Sequence, residues 1–221
     1  VSVATGSIVV PGRSVSASLE AMLSPTSEHW ESAEAVTVSL EPTPLDRQPS
    51  AYVRTAWKER RRGDIREVEV SALRGSDSLA FRLEWAVPRP QRRISDINVY
   101  ADACAVLLPL DGKHLEHDTM GSPEHPVQAW HWRAGTEQPF EITATGIGTV
   151  ERARSHQVVG SSRWDDGRWQ VVLARPLDAD GVKLGRTARI PVAFAVWSGA
   201  AGERAGLKAY TPQAHELVIG G

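Results

Sequence analysis

Apolar residues recurring at every second position constrain this chain more than any other feature. Val36, Val38 and Leu40 alternate with polar neighbours, as do Val68, Val70 and Ala72, then Leu79, Phe81, Leu83 and Trp85, and again Trp169, Val171 and Leu173. A period of two places one set of side chains on one face of an extended strand, whereas a helix repeats every 3.6 residues. Residues 190–197, IPVAFAVW, are apolar on both faces, which suits a central strand covered on each side. Between the runs stand breakers: PTP at 42–44, RRGD at 61–64, VPRPQRR at 87–93, DDG at 165–167 and DADG at 178–181. Many short strands with turn signals at fairly regular spacing predict a mainly β chain, an antiparallel β-sandwich with a few short helices. Helix signals are poor, with short turns expected only near 149–156 and 200–210. No internal repeat or low-complexity linker divides the sequence, so residues 1–221 are expected to form one domain.

Composition narrows the function more by exclusion than by suggestion. A hydrophobic content of 41% is enough to bury a substantial core. The formal charge of −2 leaves no electrostatic footprint for nucleic acid or an anionic membrane. Arginine dominates the basic residues, which makes the four lysines, Lys58, Lys113, Lys183 and Lys208, individually informative. The single cysteine, Cys104, excludes an intrachain disulfide, an iron–sulfur cluster held by this chain alone and a Cys-x-x-Cys-His haem attachment. It lies in the apolar run ACAVLLPL and reads as a buried small hydrophobe. No transmembrane-length apolar run and no signal-peptide pattern is visible, and a start at Val1 suits a processed form as well as a trimmed one. The charge run KERRRGD at 58–64 reads first as a solvated hairpin tip or loop, and otherwise as a docking surface for an acidic partner.

Chemistry concentrates in His117–Arg133, HDTMGSPEHPVQAWHWR. A packing methionine usually sits in an apolar run, where its flexible thioether fills gaps. Met120 instead follows Asp118 and Thr119 and precedes Gly121, Ser122 and Pro123, a reasonable place to present a soft sulfur to a cofactor. The other methionine, Met22 in SLEAMLSP, reads as packing. Trp130, His131 and Trp132 follow as a dense aromatic block.

The pattern MGS-x-x-x-PV-x-x-WHW-R-A resembles the haem-binding γ subunits of the periplasmic molybdenum enzymes of the ethylbenzene, dimethylsulfide, selenate and chlorate class. Residues 78–110 resemble that family's paired strands, and residues 168–208 its C-terminal signature, VAFAVW-x-G followed by ER-x-G-x-K-A. The three segments stand in the expected order from 78 to 208, while residues 1–50 match nothing recognisable. The resemblance implies a periplasmic electron-transfer subunit without substrate chemistry of its own. It would carry one non-covalent haem b in a pocket between sheet and loops. Its partners would be an iron–sulfur β subunit and a molybdenum catalytic α subunit in a heterotrimer, with a soluble cytochrome or similar periplasmic redox protein outside it.

The resemblance further implies axial iron ligation by Met120 and Lys208. A thioether favours ferrous iron and raises the potential, and a lysine ligates only as the neutral amine, which burial promotes. Lys208 follows the Gly-rich turn GAAGERAG with few charged neighbours; its ordinary reading is a surface lysine. Lys183, beside an acidic turn, is the fallback, and His131 a further substitute. Trp130, Trp132 and Trp197 suit the wall of a porphyrin pocket or, equally, the sandwich core. His131 is placed to line the haem or bond a propionate. Arg133 and Arg175 are candidate propionate partners, although the family usually has lysine at position 133.

Two other readings compete. A carbohydrate-binding β-sandwich would use tryptophans as sugar platforms, but leaves Met120 and Lys208 without roles. The crowding of His114, His117, His125 and His131 with Asp118 admits a transition-metal site, although the spacing fits no established zinc motif. GIGTVE at 146–151 lacks a third glycine and a following helix, so no dinucleotide fingerprint is present. Asp165, Asp166, Asp178 and Asp180 read as turn residues, with calcium a weak alternative. Substrate and direction of electron flow are not written in the sequence.

Overall fold

The computed structural model describes residues 9–94, 98–153, 157–182, 184 and 189–219. Its strands in chain order are β1 (Val9–Ser14), β2 (Val36–Ser39), β3 (Glu41–Pro42), β4 (Glu67–Arg74), β5 (Ser78–Ala86), β6 (Ala103–Pro109) and β7 (Val127–Arg133). They continue with β8 (Phe140–Ala144), β9 (Glu151–Arg152), β10 (Val159–Asp165), β11 (Arg168–Pro176), β12 (Arg189–Trp197), β13 (Ala209–Tyr210) and β14 (His215–Ile219). Each alternating run of the sequence lies in or beside one of them: 36–40 in β2, 68–72 in β4, 79–85 in β5 and 169–173 in β11.

The strands form two layers that share one strand. The order β10-β11-β5-β4-β1-β14-β12 makes the first layer, and β12-β6-β7-β8-β9 continues into the second. Residues Arg189–Val192 of β12 pair with β14, and Ala193–Trp197 pair with β6. Central position in both layers explains why this strand is apolar on both faces, as the sequence indicated. Between the layers lies a core containing Phe81, Trp85, Trp130, Trp132, Trp169 and Phe194, all buried. Its rings meet edge to face, Phe81 with Trp130 at 5.8 Å and Trp132 with Trp169 at 4.9 Å between centroids, the arrangement that aromatic quadrupoles favour. The Trp169 indole N–H donates to Asp102 Oδ2 at 2.9 Å, so that ring's polar edge is satisfied inside the core.

Two expectations need correction. The sheet is mixed rather than antiparallel, because β1 runs parallel to both β14 and β4. Its sequence, VVPGRS, gives no alternation to read. Pro11 is tolerated because it pairs with Val218 of β14 on one side only, β4 joining from Gly12 onward. Helices also form where none was expected, α1 (Leu19–Leu23) and α2 (Ala51–Ala56), with a 3-10 turn at Glu28–Ser32. Ser18 and Ser50 cap them by accepting the backbone N–H of Ala21 and Val53. Residues Glu151–Arg152, expected in a helical turn, form an edge strand instead. Met22 and Cys104 are fully buried, as read. Among the described residues no helix is long and apolar enough to cross a membrane.

Candidate cofactor cavity

The outer face of the second layer carries a second apolar cluster, built on the alternate residues of the strands whose other face forms the core. Ala193, Ala195 and Trp197 of β12, Ala103, Ala105 and Leu107 of β6 and Val127 and Ala129 of β7 belong to it. Register sets these side chains in rows across the strands. One row runs Ala195, Ala105, His131, Phe140, and the next Ala193, Leu107, Ala129, Ile142. Alanine methyls where larger side chains could stand leave a shallow floor. Segments 43–53, 117–120, 147–150 and 205–208 surround it and enclose a cavity of about 520 Å³, within the usual range of small-ligand and cofactor sites.

Met120 and Lys208 both line this cavity and touch, the Lys208 amine donating to Met120 Sδ at 3.7 Å. Met120 ends the turn 117–120 in the left-handed region, φ 59°, which few non-glycine residues adopt. Its carbonyl accepts the N–H of Gly146 at 3.0 Å. The next residue, Gly121, has φ +83°, and a Cβ there would stand 2.8 Å from the carbonyl oxygen of His125. The glycine of the MGS pattern is therefore what lets the chain turn and aim the thioether inward.

Lys208 precedes β13, and its carbonyl is fixed by both the N–H and the hydroxyl of Thr43 at 2.9 Å each. The N–H of the Trp197 indole holds the preceding turn through Ala205 O at 3.0 Å, while the Lys208 amine lies 5.3 Å from the Trp197 ring centroid. Burial of the amine lowers its pKa from 10.5 to about 8.

His131 stands on the floor between Phe140, stacked at 4.6 Å, and Trp197 at 5.0 Å. Burial, followed by the nearby Lys208 and Arg133 charges, pushes its pKa down to about 3. It is thus a neutral imidazole, and its Nδ1 has no hydrogen-bond partner beyond its own residue. On the covering side, Arg47 pairs with Asp118 at 2.7 Å and ties segment 43–53 to the turn that bears Met120. His117 packs beside Tyr210 at 6.3 Å, both lining the cavity.

The structure brings Met120, Lys208, His131 and Trp197 to one cavity. It puts Trp130 and Trp132 on the opposite face of β7, in the core between the layers, because neighbours of His131 in a strand must point away from it. Arg133 shares the face of His131 but is exposed beyond the lining, level with Ala103. Arg175 is wholly buried, donating to Gln128 Oε1 at 2.8 Å with Glu141 at 3.7 Å. Neither arginine lines the cavity; the lining arginine is Arg47. Lys183 lies outside the described residues. Sequence reading missed Arg47, Gln48, Val53 and Tyr210, and the alanine floor. The first three come from a stretch without strand period; the alanines stood in the alternation, where small size drew no attention.

The comparisons with known proteins bear on this arrangement. A sequence model of the ethylbenzene dehydrogenase family matches residues 27–158 and 143–209, reaching well before the segments recognisable by eye. A Haloferax mediterranei protein, described provisionally as a respiratory nitrate reductase haem subunit, is 34% identical over 194 residues, covering 86% of this chain and 66% of that protein. The chlorate reductase γ subunit of Ideonella dechloratans is 34% identical over 155 residues, 68% of this chain and 64% of its own. The dimethylsulfide dehydrogenase γ subunit of Rhodovulum sulfidophilum is 30% identical over 152 residues, 64% of this chain and 56% of its own. The chain thus spans under two thirds of each relative's length. Among solved structures, a family 9 carbohydrate-binding module from Caldicellulosiruptor kristjanssonii superposes with TM-score 0.53 at 7% identity, each chain covered to 96%. A Bacteroides uniformis protein, described provisionally as carbohydrate-binding, gives 0.53 at 8%, covering 97% of this chain and 100% of its own. These two show a shared β-sandwich fold and nothing further. By the family match and the three relatives, the chain belongs to the ethylbenzene dehydrogenase family, alongside the γ subunits of chlorate reductase and dimethylsulfide dehydrogenase.

Proposed function

We propose that this protein is the haem-carrying γ subunit of a molybdenum oxidoreductase complex and that the cavity between the second layer and its loops holds one haem b. The observation that carries the reading is a pair of potential iron donors at one cavity wall, an amine hydrogen-bonded to a thioether at 3.7 Å beside a floor of alanines. Each fits the group independently. Met120 is a soft neutral donor aimed by a turn and resting against the outer apolar cluster, and Lys208 is an amine depressed toward its neutral, ligating form. The floor and the rings of Trp197 and Phe140 give an apolar lining suited to a flat macrocycle.

When bound, the haem supplies one-electron exchange between ferric and ferrous iron. The residues of this chain orient, insulate and tune it. Met120 biases the site toward the reduced state, and the apolar lining disfavours added charge on the metal. Arg47 offers a cation at the cavity for a propionate, in place of the Arg133 and Arg175 of the sequence reading. His131, neutral and unprotonated at Nδ1 or carrying a single proton there, lines the pocket without contributing charge. The chain is an electron relay and no catalyst, passing electrons between an iron–sulfur β subunit, next to a molybdenum α subunit, and a soluble periplasmic redox protein. The names of the relatives support the haem and the subunit role.

A sugar-binding role rests on fold alone. Seven of the eight tryptophans are buried, and the eighth, Trp164, is partly buried with its N–H donating to Val87 O, so no tryptophan stands as an open platform. A spectroelectrochemical titration of the haem-loaded protein tests the proposal. A reversible one-electron couple is expected, shifted to lower potential or lost in Met120→Ala; a haem that binds but shows the same couple without Met120 and Lys208 would refute the site.

A further inference from the structure

The histidines crowded into 114–131 separate in space. His117 and His131 line the cavity, whereas His114 and His125 turn to the outside of the loop that carries Met120. There a ring nitrogen of His114, one of His125 and a carboxylate oxygen of Glu116 all lie within 4.8 Å of one another. The local backbone explains the meeting. His114 and Glu116 are two apart in an extended stretch, so their side chains share a face, with His114 Nε2 3.8 Å from Glu116 Oε1. The chain then turns through 117–122 and returns, Leu110 N–H bonding Pro126 O at 3.0 Å, which lays His125 beside His114 with ring centroids 4.5 Å apart.

We propose that His114, Glu116 and His125 form a divalent-metal site, with Zn²⁺ the best-suited ion, distinct from the haem cavity. Two imidazoles and one carboxylate are a ligand set zinc accepts, leaving a fourth position for water. Asp111 supports it. Its Oδ1 accepts the N–H groups of Lys113 and His114 at 2.8 and 3.1 Å, while Oδ2 stands 3.9 Å from His125 Nδ1. That nitrogen is buried and has no hydrogen-bond partner. A carboxylate beside the second nitrogen of a ligating imidazole is how zinc sites commonly orient the ring. Ligands bound at about 2.0–2.2 Å stand closer together than these three do, so the ion draws 114–116 toward 125. The segment so clamped is the one that presents Met120, which makes the metal a structural pin for the haem-facing turn.

The test is calorimetric titration of Zn²⁺ into the chelator-treated full-length chain, alongside His114→Ala, His125→Ala, Glu116→Gln and, as a control, His29→Ala. One ion per chain is expected. Affinity should fall at least tenfold in each of the first three variants and stay unchanged in His29→Ala. Co²⁺ should give a visible d–d spectrum that His125→Ala abolishes, a readout independent of haem. Binding equal in wild type and His114→Ala, or lost only when His117 and His131 are replaced, would overturn the site, as would no stoichiometric binding at all.

Discussion

At the scale of single residues, the account rests on how Lys208 is made a base. Its pKa of about 8 in place of 10.5 means that roughly one side chain in ten is neutral at pH 7, against about one in three thousand for a free lysine. The proton competes with iron for the same lone pair. Haem affinity is therefore expected to rise with pH and level off above about 8, falling about tenfold per unit below it. The rate of haem loss to an apoglobin acceptor between pH 6 and 9 measures this, and a flat profile would remove Lys208 as a ligand. His131 gives an independent signature. Its folded pKa, about 3, lies below the ordinary 6.5, so its contribution is intact above 6.5 and is lost as pH falls toward 3. His131→Phe should blunt acid destabilisation by at most about 1.4 kcal/mol per pH unit within that window, read from urea melts at pH 7 and pH 4. Met120 was legible from its setting, a methionine in a polar turn, whereas Lys208 came with the family resemblance, its own setting reading as an ordinary surface lysine. Of the two settings open to Trp130 and Trp132, pocket wall or sandwich core, the structure has the core, and the rule that decides was at hand. In a strand they must face away from His131.

The element that decides what the cavity can hold is the face shared by β6, β7 and β12. Ala105, Ala129, Ala193 and Ala195 keep it shallow. Ala195→Leu should fill the floor and abolish haem uptake, while costing the fold only about 1–3 kcal/mol because the extra methyls enter an open cavity. Trp132→Ala, on the other face of β7, should do the opposite. It removes core volume and costs about 3–5 kcal/mol, yet leaves haem binding intact wherever the chain is folded. Thermal melts with haem titrations separate the two, and a Trp132→Ala protein that folds but refuses haem would contradict the assignment of faces. Most strands were legible from their period of two. The parallel strand β1 was not, because Pro11 and Gly12 interrupt any pattern and its neighbours, β4 and β14, are far from it in sequence. The helices α1 and α2, five and six residues long, are too short for a 3.6 repeat to register. Only their serine caps advertise them. One of the four segments that cover the cavity, 43–53, lies in just such a stretch.

For the whole molecule, two comparisons pull apart in an instructive way. The sandwich is shared with carbohydrate-binding modules at 7–8% identity, and the fold positions a face without dictating its use. What separates this chain is local: small residues on the outer face of one layer, a methionine turn above it and a half-buried amine against that methionine. Exposed Ile147 and Val150 stand at the cavity, so a cofactor seated there would lie near an apolar stretch of surface, where a redox partner can approach. The measurement that tests the central claim most directly is the reduced-minus-oxidised absorption spectrum of the purified, haem-replete protein, with haem content from the pyridine haemochrome. The account predicts one extractable haem b per chain and a sharp low-spin α band that Met120→Ala and Lys208→Ala each abolish or convert to high spin. A folded protein that takes up no haem, or one whose low-spin band survives both substitutions, would contradict it.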